Sequence, residues 1–239
     1  MTKRNVLKAL AFLAGLYFVL NFFLPEKLGG DFDGYEVHAP APVLTAEGPL
    51  LFYTGLYSDR LPAIGRLVAP TGAGDAWSRS PDKPVIQRSV FVPDDQAGMQ
   101  QLDAVSAPDG LHLFYMGADR DHYLTLCHAV GNASGTAWEK KAPVTFTYAR
   151  PLPPATQPAQ HRNGVLPGAL EYFAVDRSDD GAWRFLLLLK TTGKGTRPWL
   201  ATGTDLSNVA LADDPLIPTD IIPLNATTFD ARPSGDGFD

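Results

Sequence analysis

One recurring pattern, a turn followed by an aromatic-rich strand that ends at glycine, constrains this chain more than any other feature. It appears first at residues 50–55 (LLFYTG), after the turn at 47–48. It returns at 111–117 (LHLFYMG), after the turn at 108–110. Short strand patterns separated by Gly, Pro and Asp indicate antiparallel sheet, and a second similar set indicates a repeated supersecondary unit.

Further parts of the unit recur in the same order. The first copy continues with a strand pattern at 64–68 and ends on Pro84-Val85, and the second continues with 123–129 and ends on Pro143-Val144. A third, looser copy follows the turn at 179–181. The repeat therefore predicts consecutive units over about 35–87, 88–147, 161–218 and 219–239, the last of them incomplete.

A spacing of about 60 to 70 residues suits a four-stranded blade of a β-propeller with long connections. The expected fold is all-β, a β-propeller of which about three and a half blades are present. An open ring would leave a strand edge and an apolar blade face in water. We therefore expect a further chain segment, in a longer protein or from another chain, to complete the ring.

Composition excludes several classes of function. The 239-residue chain has a formal net charge of −6 and no basic run beyond its first few residues, so nucleic-acid binding is not expected. Gly and Pro are frequent, as in turn-rich β proteins. The single cysteine, Cys127, excludes an internal disulfide framework, and its apolar strand pattern predicts a small buried side chain. No His or Cys spacing predicts a metal site.

Residues 1–27 are interpreted as a targeting segment. Basic residues precede an apolar run at 9–24 that only Asn21 interrupts, and this length is near the lower limit for crossing a bilayer. Because no convincing small-residue cleavage site follows, an uncleaved signal anchor is favoured, with a cleaved signal peptide as the alternative. The positive leader predicts that the chain after the linker at 28–34 lies on the extracytoplasmic side of a membrane, or alternatively is secreted or periplasmic.

The order of Pro-Val, turn, Leu-Phe-Tyr-Thr-Gly, Ile-Gly-Arg, Ala-Trp and Pro-Val resembles the blades of five-bladed β-propeller glycosidases. Glycoside hydrolase family 43 and its fructan-cleaving relatives are the group in question. The resemblance covers most of the chain after residue 35, and it implies a carbohydrate-active protein with a pocket on the propeller axis. Five such blades would need about 270 residues outside the membrane. The motif aromatics are expected to pack in the core and between blades: Phe52, Tyr53, Trp77, Phe114, Tyr115 and Trp138.

In this family, carboxylates from successive blades surround the pocket and cleave the glycosidic bond by acid–base chemistry. By this resemblance, Asp103 in the second blade and Glu171 in the third are catalytic candidates, with Glu171 similar to the family's acid. The fourth blade offers Asp230 and Arg232 as substrate-binding candidates. The plainer alternatives are an Asp that caps a turn, an outward-facing strand residue and a surface ion pair.

The first blade departs from the family pattern. Where the family has its catalytic Asp before a Pro, this sequence has Ala39-Pro40-Ala41-Pro42, so alanine occupies either register. Without that base, an attacking water has no proton acceptor, and hydrolysis would lose orders of magnitude in rate. Upstream, Asp33 and His38 are substrate-binding candidates, although Asp33 falls in the Gly-rich linker and His38 also suits an ordinary strand start.

Two hypotheses follow. The chain is either an extracytoplasmic glycoside hydrolase or related carbohydrate-active enzyme, or a non-catalytic propeller that binds a glycan or a protein partner at the cell envelope. The missing Asp leaves enzymatic activity open. The expected partners are a glycan or small saccharide and, through the N-terminal segment, a membrane. No cofactor is predicted, and a divalent ion on the propeller axis is left as an alternative.

Overall fold

In the computed structural model, the described residues form strands joined by turns, which confirms the predicted all-β fold. The structure describes residues 32–34, 36–56, 62–69, 77–79, 83–88, 93–120, 123–150, 164, 166–191 and 195–217, and the backbone of 233–234 and 237–238. The strands are β1 Glu36–Thr45, β2 Gly48–Leu56, β3 Pro62–Val68, β4 Ser78–Arg79, β5 Ile86–Gln87, β6 Gly98–Ala107, β7 Gly110–Ala118, β8 Leu124–Gly131, β9 Trp138–Lys141, β10 Phe146–Tyr148, β11 Ala169–Arg177, β12 Trp183–Thr191, β13 Gly195–Gly203, β14 Val209–Leu211, β15 Pro233–Ser234 and β16 Gly237–Phe238.

Three larger sheets follow one another along the chain. The first has the order β1-β2-β3-β4, with β5 also paired to β3; the second has the order β6-β7-β8-β9; the third has the order β10-β14-β13-β12-β11. The strand pairs are antiparallel except β10 with β14, which is parallel. Several largely antiparallel sheets therefore follow one another in chain order.

The second sheet lies between the other two, and β7 is buried along almost its whole length. Leu113 and Tyr115 belong to the apolar cluster shared with the first sheet, whereas Phe114 and Met116 belong to the cluster shared with the third. Successive side chains of a strand point to opposite faces. An uninterrupted apolar run is therefore what a strand between two neighbours needs.

The motif phenylalanines make the contacts between sheets, as predicted. Phe52 of the first sheet meets Trp138 of the second edge-on, with ring centroids 5.3 Å apart, and Phe114 meets Trp183 of the third at 5.3 Å. The prediction for Trp77 was wrong. This residue is 43% exposed because it lies ahead of the short strand β4 rather than on a covered sheet face.

Strand β10 belongs to the third sheet, although its place in the chain is at the end of the second unit. Phe146–Tyr148 ends the predicted second unit, yet it pairs in parallel with β14 at the outer edge of the third sheet. Phe146 is 1% exposed, and its ring lies edge-on to Phe185 with centroids 5.6 Å apart. The chain therefore ties two neighbouring sheets together and covers one open edge.

No helix within the described ranges is long and apolar enough to cross a bilayer. The predicted targeting segment, residues 1–27, lies outside the described residues. So does most of the predicted fourth unit, of which the short hairpin β15–β16 is described.

Candidate functional site

The first strands of the three units, β1, β6 and β11, border a central cavity of about 590 Å³. This volume is within the range of about 300 to 1,000 Å³ found for ligand pockets. The lining residues are 40–44 of β1, 102–106 of β6, and 172 and 174–176 of β11. The first strand of each unit therefore contributes to one shared wall, and β1, β6 and β11 are the inner strands of their sheets.

Asp103 lies in this wall and also joins two sheets. It follows a bulge at Gln101, where β6 has an extra residue opposite β7 and the backbone adopts a φ of 44°. Its carboxylate accepts a 2.6 Å hydrogen bond from the N–H of Val175 on β11 and a 2.8 Å bond from the N–H of Ala104. Burial raises the pKa of Asp103 to about 6, with a smaller contribution from the Asp176 carboxylate, although both N–H groups oppose the shift.

The first sheet carries the same bulge without the carboxylate. Ala39 adopts a φ of 51°, and Ala41 pairs with Phe52 just as Asp103 pairs with Phe114. Ala41 therefore occupies in the first sheet the position that Asp103 occupies in the second. The first sheet contributes only Pro, Ala, Val and Leu residues to the cavity lining.

A second carboxylate in the wall, Asp176, was missed by the sequence analysis. It lies on β11 opposite Arg184 of β12, and the guanidinium of Arg184 donates a hydrogen bond to it. The side chains of Arg184 and Asp176 are 14% and 18% exposed. An Asp and an Arg at facing positions on either side of the predicted turn at 179–181 were the signal that could have revealed the pair.

Glu171 lies at the bulge of β11 and is not among the residues that line the cavity. Its carboxylate accepts a 2.8 Å hydrogen bond from the Thr196 hydroxyl and lies 3.3 Å from Nζ of Lys190. The side-chain amide of Gln101 donates to its backbone carbonyl, so the bulges of β6 and β11 are neighbours. The Glu171 carboxylate is thus held by other residues of the third sheet. Its catalytic role stays a prediction.

Asp33 is in a polar cluster on the first sheet, away from the lining of the central cavity. Its carboxylate accepts a 2.7 Å hydrogen bond from the Tyr53 hydroxyl, and Nη2 of Arg79 lies 2.8 Å from it. A Cβ atom on Gly55 would lie 2.7 Å from Cβ of Asp33, so the motif glycine allows this close approach. A substrate contact by Asp33 stays a prediction that this geometry does not favour.

The second sheet repeats this cluster. Asp95 accepts a 2.9 Å hydrogen bond from the Tyr115 hydroxyl, and Nζ of Lys140 lies 2.5 Å from the same carboxylate. A Cβ atom on Gly117 would lie 2.3 Å from the Asp94 carbonyl oxygen. The Tyr-x-Gly part of the repeat therefore anchors an acidic segment that leads into β1 and another that leads into β6.

The other predicted site residues are not in the cavity lining or are not described. His38 pairs with Thr54, just ahead of the part of β1 that lines the cavity. Asp230 and Arg232 lie outside the described residues. Cys127 is free and buried, as predicted, and burial raises the pKa of its thiol. Within the described part of the chain, no three His, Cys, Asp or Glu side chains are grouped to hold a metal ion.

No protein-family model matches the sequence, and no curated protein matches it. Solved structures do match. Fructan 1-exohydrolase IIa from Cichorium intybus has a TM-score of 0.55 at 20% identity, over 77% of this chain and 33% of its own. A variant of that enzyme in complex with 1-kestose has a TM-score of 0.52 at 17% identity, over 75% and 32%. Zg3597, a family 117 glycoside hydrolase from Zobellia galactanivorans, has a TM-score of 0.57 at 12% identity, over 77% and 57%.

The chain thus spans between a third and somewhat over half of the length of these structures. Identities this low establish a likeness of fold. These relatives are glycoside hydrolases with β-propeller folds, which confirms the resemblance seen in the sequence. The successive sheets of this chain have the fold of blades of the β-propeller glycoside hydrolases.

Proposed function

We propose that this chain is part of a five-bladed carbohydrate-active β-propeller that binds a glycan in its central cavity. The observation that carries the proposal is the cavity of about 590 Å³ between inner strands, with Asp103 and Asp176 in its wall. A relative of the same fold is solved in complex with the saccharide 1-kestose, which supports a glycan as the ligand.

The chemistry of the lining suits a sugar. Asp103, Asp176 and Ser106 offer oxygen atoms to hydroxyl groups, and Tyr172 offers a ring that can pack on a sugar face. Pro40 and its neighbours on β1 form an apolar wall on the opposite side. None of the lining residues is Lys or Arg. We therefore propose a neutral glycan rather than a phosphorylated or acidic one.

The cellular setting belongs to the same proposal. The apolar N-terminal run with its basic leader would hold the propeller on the extracytoplasmic side of a membrane. The proposal includes a further chain segment that supplies the remaining blades. In sealed vesicles with the extracytoplasmic face outward, external protease should digest the propeller of the full chain. Protection of the propeller in these vesicles would contradict the proposed orientation.

Binding is tested by calorimetric titration with a panel of neutral, acidic and phosphorylated oligosaccharides. Ser106→Trp places a large side chain at the cavity and should abolish binding of the neutral glycan. Ser78→Trp, on an exposed strand of the first sheet outside the cavity lining, is the matched control and should bind like the wild type. Equal binding by both variants, or binding of acidic glycans alone, would overturn the proposal.

Hydrolysis is the second candidate, and one observation favours it. With a pKa near 6, Asp103 could hold a proton for a leaving group at mildly acidic pH. Two observations argue against hydrolysis. The Asp103 carboxylate already accepts hydrogen bonds from two backbone N–H groups, and Ala41 occupies the matching position in the first sheet. The geometry therefore favours binding without turnover.

Assays of sugar release from a panel of aryl glycosides at about pH 6 distinguish binding alone from hydrolysis. If the site only binds, the wild type, Glu171→Gln and Asp103→Asn all release no sugar. Release by the wild type that falls in Asp103→Asn or Glu171→Gln would establish an enzyme and identify its acid. Ala41→Asp restores the carboxylate that the family pattern has in the first blade, and a gain of turnover there would show that the remaining machinery is intact.

A further inference from the structure

Two buried histidines on neighbouring strands of the second sheet lie against each other where that sheet faces the third. His112 of β7 and His128 of β8 are 4% and 6% exposed. Their rings stack with centroids 5.2 Å apart, and Nδ1 of His112 lies 3.0 Å from Nε2 of His128. One of these nitrogens donates and the other accepts, so the contact requires that one of them carries no proton.

Aromatic rings from both sheets pack against the pair. Phe114 of the second sheet stacks on His128 with centroids 4.8 Å apart, and Trp183 of the third sheet lies on His112 at 4.8 Å. The imidazoles are therefore part of the apolar contact that holds the two sheets together, and water has little access to solvate a charge on them.

Three charged groups face the pair from the surrounding elements. Oδ1 of Asp109, in the β6–β7 turn, lies 3.2 Å from Nε2 of His112. Arg177 of β11 donates to Asp109, and its guanidinium lies 4.8 Å from the Trp183 ring centroid. Lys141 of β9 pairs with His128 across the strands and adds positive charge beside it. The one negative group, Asp109, is therefore shared with an arginine, and it cannot neutralise two imidazolium ions.

We propose that the stacked histidine pair, His112 with His128, is an acid-sensitive latch between the second and third sheets. While the facing nitrogens share one proton, the neutral pair stays buried in the second sheet under Trp183 of the third sheet. When both imidazoles are protonated, two donors and two positive charges face each other across 3.0 Å beneath that ring, and the contact between the sheets opens to hydrate them.

Electrostatics give the direction and the pH window. Burial lowers the pKa of both imidazoles, that of His128 from 6.5 to about 4. Nearby positive charge lowers both pKa values further, and the Asp109 carboxylate opposes the shift. The folded latch thus binds fewer protons than the unfolded chain between these values. Its contribution to stability is complete above about pH 6.5 and is lost as the pH falls toward about 4.

The opening reaches the central cavity. The N–H of Val175, which holds Asp103, is on β11, the inner strand of the third sheet. Separation of the second and third sheets removes this hydrogen bond and changes the cavity wall. The inference is independent of glycan binding, because the latch acts on the contact between sheets whatever the cavity holds.

Amide hydrogen exchange on the full wild-type chain tests the latch without a substitution. The Val144 amide donates to Leu126 of β8 just before the chain enters β10 of the third sheet, and its protection factor, corrected for intrinsic exchange, should fall by about tenfold or more between about pH 7 and pH 4.5. The Val175 amide is not the reporter, because its acceptor Asp103 has a pKa of about 6 and changes charge in this range. The Val85 amide, which donates to Ile64 within the first sheet, is the internal control and should keep its protection. Equal loss at both amides would indicate general acid unfolding and would overturn the proposal.

Substitution provides the second arm. His128→Gln and His112→Gln each leave a neutral hydrogen-bonding side chain in place of a titrating one, and His38→Gln removes a histidine from the first sheet as the matched control. The urea midpoint of the wild type and of the control should decrease with acid, and each latch variant should lose about half or more of that decrease. A decrease as steep in the latch variants as in the wild type would contradict the latch. If a variant does not fold, the exchange measurement decides alone.

Discussion

The second sheet packs against the first sheet on one side and against the third sheet on the other. Both contacts use the same repeated motif, but the first is apolar and the second includes polar groups. Toward the first sheet, Phe52 packs on Trp138, and Ala41 occupies the bulged inner strand. Toward the third sheet, Phe114 packs on Trp183, and Asp103 occupies the matching position with a hydrogen bond across the gap. One strand register therefore supports either an apolar or a polar contact. Most of the polar side chains for which a function is proposed lie at the contact between the second and third sheets.

The largest effect should come from the two matching phenylalanines, both 0% exposed. Phe114→Ala should lower the free energy of unfolding by about 4 kcal/mol, through lost burial and a residual cavity. Phe52→Ala should cost somewhat less, because Phe114 also meets Phe185 edge-on at 5.6 Å. Urea unfolding of both variants at neutral pH measures the difference. A greater loss for Phe52→Ala would mean that the first contact, and not the second, dominates stability.

The sequence was sufficient for those parts of the fold that depend on local patterns. The aromatic-rich runs of β2 and β7 and the turns before them predicted the strands, and the motif phenylalanines were correctly assigned to contacts between sheets. What it could not supply were pairings between distant segments. The transfer of β10 to the third sheet and the exposure of Trp77 depend on which surface a neighbour covers.

The candidate site shows the same limit. Asp103 was selected by the resemblance to the blades of the glycosidases, and it does lie in the cavity wall. Asp176 was missed because a carboxylate on a strand carries no signal until its partner, Arg184, is known to face it. Asp33 was linked to the pocket because the sequence does not reveal that Tyr53 and Arg79 hold its carboxylate.

A second prediction concerns the carboxylate that distinguishes the two contacts. The pKa of Asp103 is about 6 in the folded chain against an ordinary 3.8, so the folded state binds its proton more tightly. The stability due to this proton is complete below about pH 4 and is lost as the pH rises through about 6, by up to about 3 kcal/mol. Asn does not titrate. The wild-type free energy of unfolding minus that of Asp103→Asn should therefore fall across this window.

Urea unfolding of the two proteins at intervals between about pH 4 and pH 7 gives this difference directly. The histidine pair is present in both proteins, so its opposite pH dependence cancels in the subtraction. A difference that stays constant with pH would show that Asp103 is not buried between the sheets as described.

A third prediction asks how alike the first two sheets are. Tyr53→Phe and Tyr115→Phe each remove one hydroxyl that donates to a buried carboxylate, at 2.7 and 2.9 Å. Each should cost about 1 to 2 kcal/mol, with Tyr148→Phe as a control whose long 3.4 Å contact should matter less. Thermal unfolding of the three variants measures this. Similar losses for the first two would establish that the acidic anchors are equivalent, and a loss in only one would separate the sheets.

The smallest effect is expected at the tryptophan that the sequence misassigned. Trp77→Ala should change the free energy of unfolding by no more than about 0.5 kcal/mol, because the residue is 43% exposed. Trp138→Ala at the matching position of the second unit should cost about 2 kcal/mol, since its ring packs on Phe52 and its Nε1–H donates a 2.9 Å bond to the Gly135 carbonyl. The comparison isolates the effect of a neighbouring sheet on one motif residue. A loss at Trp77 as large as that at Trp138 would mean that another surface covers Trp77 in the folded protein, as a further blade packed beside the first sheet would do.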